Sequence, residues 1–148
     1  MHPARRRLRE GPMRHSVGVW VAQVLASGFL AVLFLQSGLD KVLDWKGNRE
    51  YVGGFLAKAP VLGRFPRLVL FKITVLEVLA GVLSAAGCLL VLAARQSAVA
   101  FLGACVAGVA LLGLFLGQRL AKDYAAAAGM VPYVIATVGA VLLQGASL

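Results

Sequence analysis

Chemistry in this chain has to come from a few polar residues near one end of four apolar runs. Gln36, Asp40, Lys41, Lys72, Glu77, Arg119, Asp123, Tyr124 and Tyr133 form that set. Glu77 is the most unusual of them, because it falls more than two turns inside an apolar run. A carboxylate at such depth is costly unless it is paired or protonated. Lys72 is on the same run, but at i+5 the two do not share a helix face well. Tyr133 and Gln36, from other runs, are equally good partners. Three roles stay open for Glu77: a carboxylate that ties helices together, a proton-handling or quinone-facing group, or a contact for a partner subunit. Asp40, Lys41, Asp44, Arg119, Lys122, Asp123 and Tyr124 are expected to form a polar mouth above it. The opposite end offers little beyond Gln23, Arg95, Gln96 and Gln144.

The remaining catalytic vocabulary is missing from the sequence. The two histidines, His2 and His15, stand in the N-terminal stretch, so no apolar run offers a His pair to haem. There is no Cys cluster for iron–sulfur, no zinc spacing, no phosphate-binding glycine loop and no Ser–His–Asp set. Cys88 and Cys105 show no CxxC spacing and read as buried, inert thiols, with a disulfide as the alternative. No metal site and no covalently held cofactor is expected. Any electrons must travel on a diffusible quinone or on another subunit.

The elements that position this set are membrane spans. Of 148 residues, 60% are hydrophobic and 14% charged, where soluble domains carry roughly 25% charged residues. Apolar runs cover 17–39, 68–94, 97–117 and 130–148. Each has the roughly 17–25 residues needed to cross about 30 Å of hydrocarbon as a helix. The fold class is therefore an all-α integral membrane protein: a four-transmembrane-helix bundle forming one domain, 17–148, behind a basic tail, 1–16. The first span reads as uncleaved, being longer than a signal-peptide core and followed by no A-x-A-like site.

The connection 40–67 is more than a loop. Asn48 is expected to cap a short helix in which Tyr51, Val52, Phe55 and Leu56 share one face. Such a helix lies in the membrane interface between the first and second spans. Trp45 and Tyr51 suit the aromatic belt on that side and Trp20 the opposite belt. Small residues (Ala100, Ala104, Gly108, Gly113 and Gly117, with Gly81, Ala85, Ala136 and Ala140 on other spans) provide close-packing faces. These serve the bundle itself or dock another membrane subunit. The turn between the second and third spans is short enough for a tight antiparallel hairpin.

The net charge of +9 sits beside the spans, where it meets lipid headgroups rather than nucleic acid. Arg5, Arg6, Arg7, Arg9, Arg14 and Arg95 fall on one side of the membrane. Lys41, Lys46, Arg49, Lys58, Arg64, Arg67, Arg119 and Lys122 fall on the other. The positive-inside rule is nearly balanced, and the first span, which usually dominates, favours a cytoplasmic N-terminus in the cell membrane.

LFLQSGLDKVLDWKGN, then YVGGFLAKAP and QRLAKDYAAAAGMVPY, resemble the DoxX family of small four-span membrane proteins. The Gly-x-x-Lys of Gly38 and Lys41 is the most characteristic piece, and the resemblance runs from about Leu33 to the last residue. It implies a quinone-linked oxidoreductase setting, since the family takes its name from a subunit of an archaeal thiosulfate:quinone oxidoreductase. The expectation is a noncatalytic accessory subunit of a larger membrane oxidoreductase or respiratory complex. The alternative is a quinone-reactive small subunit of a thiosulfate:quinone oxidoreductase-like enzyme, with Glu77, Lys72 and Asp40 near the quinone head.

Overall fold

The structure is a computed structural model that describes residues 16–59 and 61–148. The arginines at 5, 6, 7, 9 and 14 and both histidines lie outside the described residues. Helix α1 spans Val17–Leu43 and opens on Ser16, whose hydroxyl accepts a hydrogen bond from the Val19 amide. Short α2, Trp45–Leu56, follows at once. A 3₁₀ turn, Leu62–Arg64, leads to α3, Pro66–Ala94, which has Pro in its first turn, where a missing N–H costs nothing. Helix α4 is Ala98–Leu120, α5 Tyr124–Gly129 and α6 Val131–Gly145. No strand occurs among the described residues.

Four segments are long and apolar enough to cross a membrane: α1, α3, α4 and the combined stretch Tyr124–Gly145. The expected short helix between the first two spans is present. Leu25, Val32, Leu89, Ile135 and Leu142 are all about two-thirds exposed. Meanwhile Gln23, Ser27, Glu77 and Gln144 are buried. Apolar outside and polar inside is the arrangement a lipid solvent selects. The chain is a multi-pass membrane protein.

Three boundaries differ from the sequence reading. The first span was expected to end at residue 39, just past Ser37 and Gly38, yet α1 continues to Leu43. Gly38 has an ordinary helical conformation, since no glycine among the described residues takes a positive φ. It is there for packing: a Cβ would fall 2.8 Å from Val78 Cγ2 and 3.2 Å from the Val78 amide nitrogen. The cap of α2 is Asp44, whose Oδ1 accepts from the Gly47 amide at 3.0 Å. Asn48, expected in that role, lies inside the helix and donates to the carbonyl of Asp44. The fourth span starts earlier than 130, at Tyr124. Asp123 caps it by accepting from the Ala126 amide, and Pro132 then divides it into α5 and α6.

Packing runs in a ring: α1 on α3, α3 on α4, α4 on α6 and α6 back on α1. Leu30, Phe34, Ala80, Ala104, Ala107, Leu111 and Ala140 form the common core. The α3–α4 hairpin is as tight as expected. Arg95 takes the left-handed conformation at φ 54°, and the amides of Arg95 and Gln96 donate to the carbonyls of Val91 and Leu90. By contrast Gly53 and Gly54 touch nothing where a side chain would grow. Gly54→Ala is expected to raise thermal stability in detergent slightly, by about 0.5–1 kcal/mol, through helix propensity alone. A fall in melting temperature would count against this packing of α2.

Candidate functional site

Glu77 finds its partners on α1. Its carboxylate is 1% exposed. Lys41 Nζ lies 2.8 Å from Oε2 and 3.2 Å from Oε1, so the ammonium straddles both oxygens. The Ser37 hydroxyl donates to Oε1 at 3.0 Å, and Lys41 Nζ also donates to Ser37 Oγ at 2.8 Å. Three side chains thus close a ring between α1 and α3.

Local geometry explains why the ring forms here. Ser37 and Lys41 are four residues apart and share one helix face. Gly38 and Gly81 let the two backbones approach: a Cβ on Gly81 would fall 2.7 Å from the Leu35 amide nitrogen. The continuation of α1 past Gly38 carries Lys41 over Glu77. Neither Lys72, Tyr133 nor Gln36, the partners expected from sequence, bonds to this carboxylate. Ser37 was missed because it looked like part of a helix end; the i, i+4 relation to Lys41 was the signal that would have found it.

Lys41 also opens on a cavity of about 470 Å³ between α2, α3 and α4. Lys72, Asn48, Tyr51 and Gln118 contribute its polar wall, while Val52, Phe55, Leu76 and Leu114 are among its apolar lining. The face expected of α2 (Tyr51, Val52, Phe55 and Leu56) is the one that lines it, and the Tyr51 and Phe55 rings stack at 6.1 Å. On α4, Gly113 and Gly117 have open space where side chains would stand, which is why room remains.

The other residues of the expected mouth do not join this centre. Gln36 and Asp40 are exposed on α1. The Arg119 guanidinium sits 4.8 Å from the Tyr124 ring centroid at the α4–α5 corner, which Asp123 caps. Tyr133 stacks on Phe29 of α1 at 6.4 Å. One polar mouth therefore resolves into an ion-paired ring with a cavity beside it, and a separate corner.

The far end is more polar inside than its sequence suggested. Gln144, fully buried, donates through Nε2 to the Ser27 hydroxyl at 2.8 Å and to the Gln23 carbonyl at 2.9 Å. Gln23 Nε2 donates to Ser147 Oγ and the Leu143 carbonyl. This network laces α1 to α6 below the core. Trp20 Nε1 donates to the Val91 carbonyl, and Arg95 lies over its ring at 5.2 Å. Cys88 and Cys105 are both free thiols, half-buried rather than buried, and Cys88 Sγ sits 3.5 Å from the Val24 carbonyl.

Fold and site together define a class: a four-span membrane bundle with an interhelical ion pair beside a cavity between α2, α3 and α4. No protein-family model, curated protein or solved structure matches the chain.

Proposed function

We propose that this chain is a DoxX-like subunit of a larger membrane oxidoreductase or respiratory complex, in which it performs no redox step itself. The observation that carries this is the closed ring of Ser37, Lys41 and Glu77. Its carboxylate is 1% exposed and already bonded to an ammonium and a hydroxyl, so it is spent on holding α1 to α3. The spans carry no histidine. The motifs around Gly38 and Lys41, and those before the last span, support the family assignment. The basic N-terminal residues support a cytoplasmic N-terminus in the cell membrane.

Purification from native membranes in a mild detergent tests the reading. Stoichiometric co-purification of subunits bearing redox centres is expected. A protein recovered alone, with one quinone per chain and quinone-reductase turnover of its own, would replace this reading with the quinone-reactive one.

A further inference from the structure

We propose that the α2–α3–α4 cavity is a binding site for one anionic amphiphile: an acyl chain carrying a phosphate or carboxylate head. The proposal does not depend on the accessory role argued above.

Charge selects the head. Lys41 and Lys72 line the cavity, and no Asp or Glu does. Glu77 is not among the lining residues and is paired with Lys41. Lys72, an exposed residue of α3 at the cavity wall, forms no ion pair and donates no hydrogen bond among the described residues. The cavity wall therefore carries one positive charge beyond what the protein neutralises. Gln118 adds a buried side-chain oxygen, Oε1, that lacks a donor. A headgroup hydroxyl beside the anion, as in a phosphoglycerol, supplies one.

Shape and lining select the tail. A volume of about 470 Å³ lies within the roughly 300–1,000 Å³ of small-molecule sites. Phe55, Leu56, Val69, Ile73, Leu76 and Leu114 supply the apolar part of the wall. Helix α2 joins the end of the first span to the second, and a short amphipathic helix in that position meets both acyl chains and headgroups. Basic side chains along this surface attract anionic lipid generally. The difference here is a concave apolar site with an unpaired lysine on its wall, in place of a flat basic fringe.

The test uses the full chain, delipidated in detergent, with binding read by native mass spectrometry. Dioleoyl-phosphatidylglycerol is expected to bind one per chain, at least tenfold tighter than dioleoyl-phosphatidylcholine. Competition by oleate tells a free carboxylate from a phospholipid as the preferred source of the same chemistry. Lys72→Gln is expected to weaken phosphatidylglycerol binding about tenfold. Gly113→Phe, which grows into the cavity from a position with open space, is expected to abolish it while the helical content by circular dichroism stays unchanged. Equal binding of the two phospholipids, or binding indifferent to both variants, would overturn the proposal. So would displacement of phosphatidylglycerol by decylubiquinone at equal concentration, which would assign the cavity to a neutral quinone.

Discussion

Replacing Lys41 with Met is expected to destabilise the protein by about 3–5 kcal/mol, the cost of leaving a buried charge without its partner. Glu77→Gln is expected to cost only about 1–2 kcal/mol, the scale of one weakened hydrogen bond to a charged group. The asymmetry comes from burial. Glu77 is 1% exposed and has nowhere to go once the ammonium is removed, keeping only the Ser37 hydroxyl. Lys41 retains 17% exposure and a flexible stem, and its cavity lies beside the polar surface, so its head can turn toward water when Glu77 loses its charge. The double variant Lys41→Met with Glu77→Gln is expected to be more stable than Lys41→Met alone, because it removes both charges together. Unfolding by sodium dodecyl sulfate, followed by helical content, measures all three. Equal single costs that simply add in the double would show that the two side chains are not coupled.

That effect exceeds what ordinary polar contacts within the bilayer provide. Interhelical hydrogen bonds in membranes average about 0.6 kcal/mol. The Gln144–Ser27 bond at the far end belongs to that smaller class. One end of the bundle is thus pinned by an ion pair, and the other is laced by several weaker bonds.

The spans were legible because uncharged stretches of that length have few other uses. The α2 face was legible because Tyr51, Val52, Phe55 and Leu56 repeat at helical spacing, although its cap was misplaced by four residues. Asp44 and Asn48 are both good capping types, and only the backbone decides which amide each side chain meets. Glu77 was recognisable as anomalous by depth alone. Its partner was not, because pairing depends on the rotation of α1 against α3, and that rotation is set at Gly38 and Gly81. A Gly followed by charged residues reads as a helix end in sequence. Here it is a contact point, and misreading it hid both Ser37 and the true position of Lys41. The lower network escaped notice for a related reason. Gln23 and Gln144 are distant in sequence, and each alone looks like an isolated polar residue in an apolar run.

Glycine contacts also set the second large effect. Gly87→Val is expected to prevent accumulation of folded protein, and Gly87→Ala to lower stability by about 2–3 kcal/mol, toward the upper end of overpacking costs. A Cβ at Gly87 would collide with the backbone nitrogen and Cα of Ala100 on α4. Backbone atoms of a helix have no rotamer to yield, so relief requires the helices to separate. The hairpin resists that, because only Arg95, Gln96 and Ser97 lie between Ala94 and Ala98. Gly103 makes the complementary contact from α4, where a Cβ would fall 2.7 Å from the Ser84 amide nitrogen. Helix α3 is therefore gripped on two faces, by α1 at Gly81 and by α4 at Gly87. Spreading the hairpin at Gly87 also moves α3 against α1 and so disturbs the Lys41–Glu77 pair. Gly139→Ala on α6 is the control: nothing lies near its missing side chain, and helix propensity favours Ala by up to about 1 kcal/mol. Melting curves in detergent should rank Gly139→Ala at or above the wild type and Gly87→Ala well below it. Equal midpoints for the two variants would mean that α3 and α4 do not meet at Gly87.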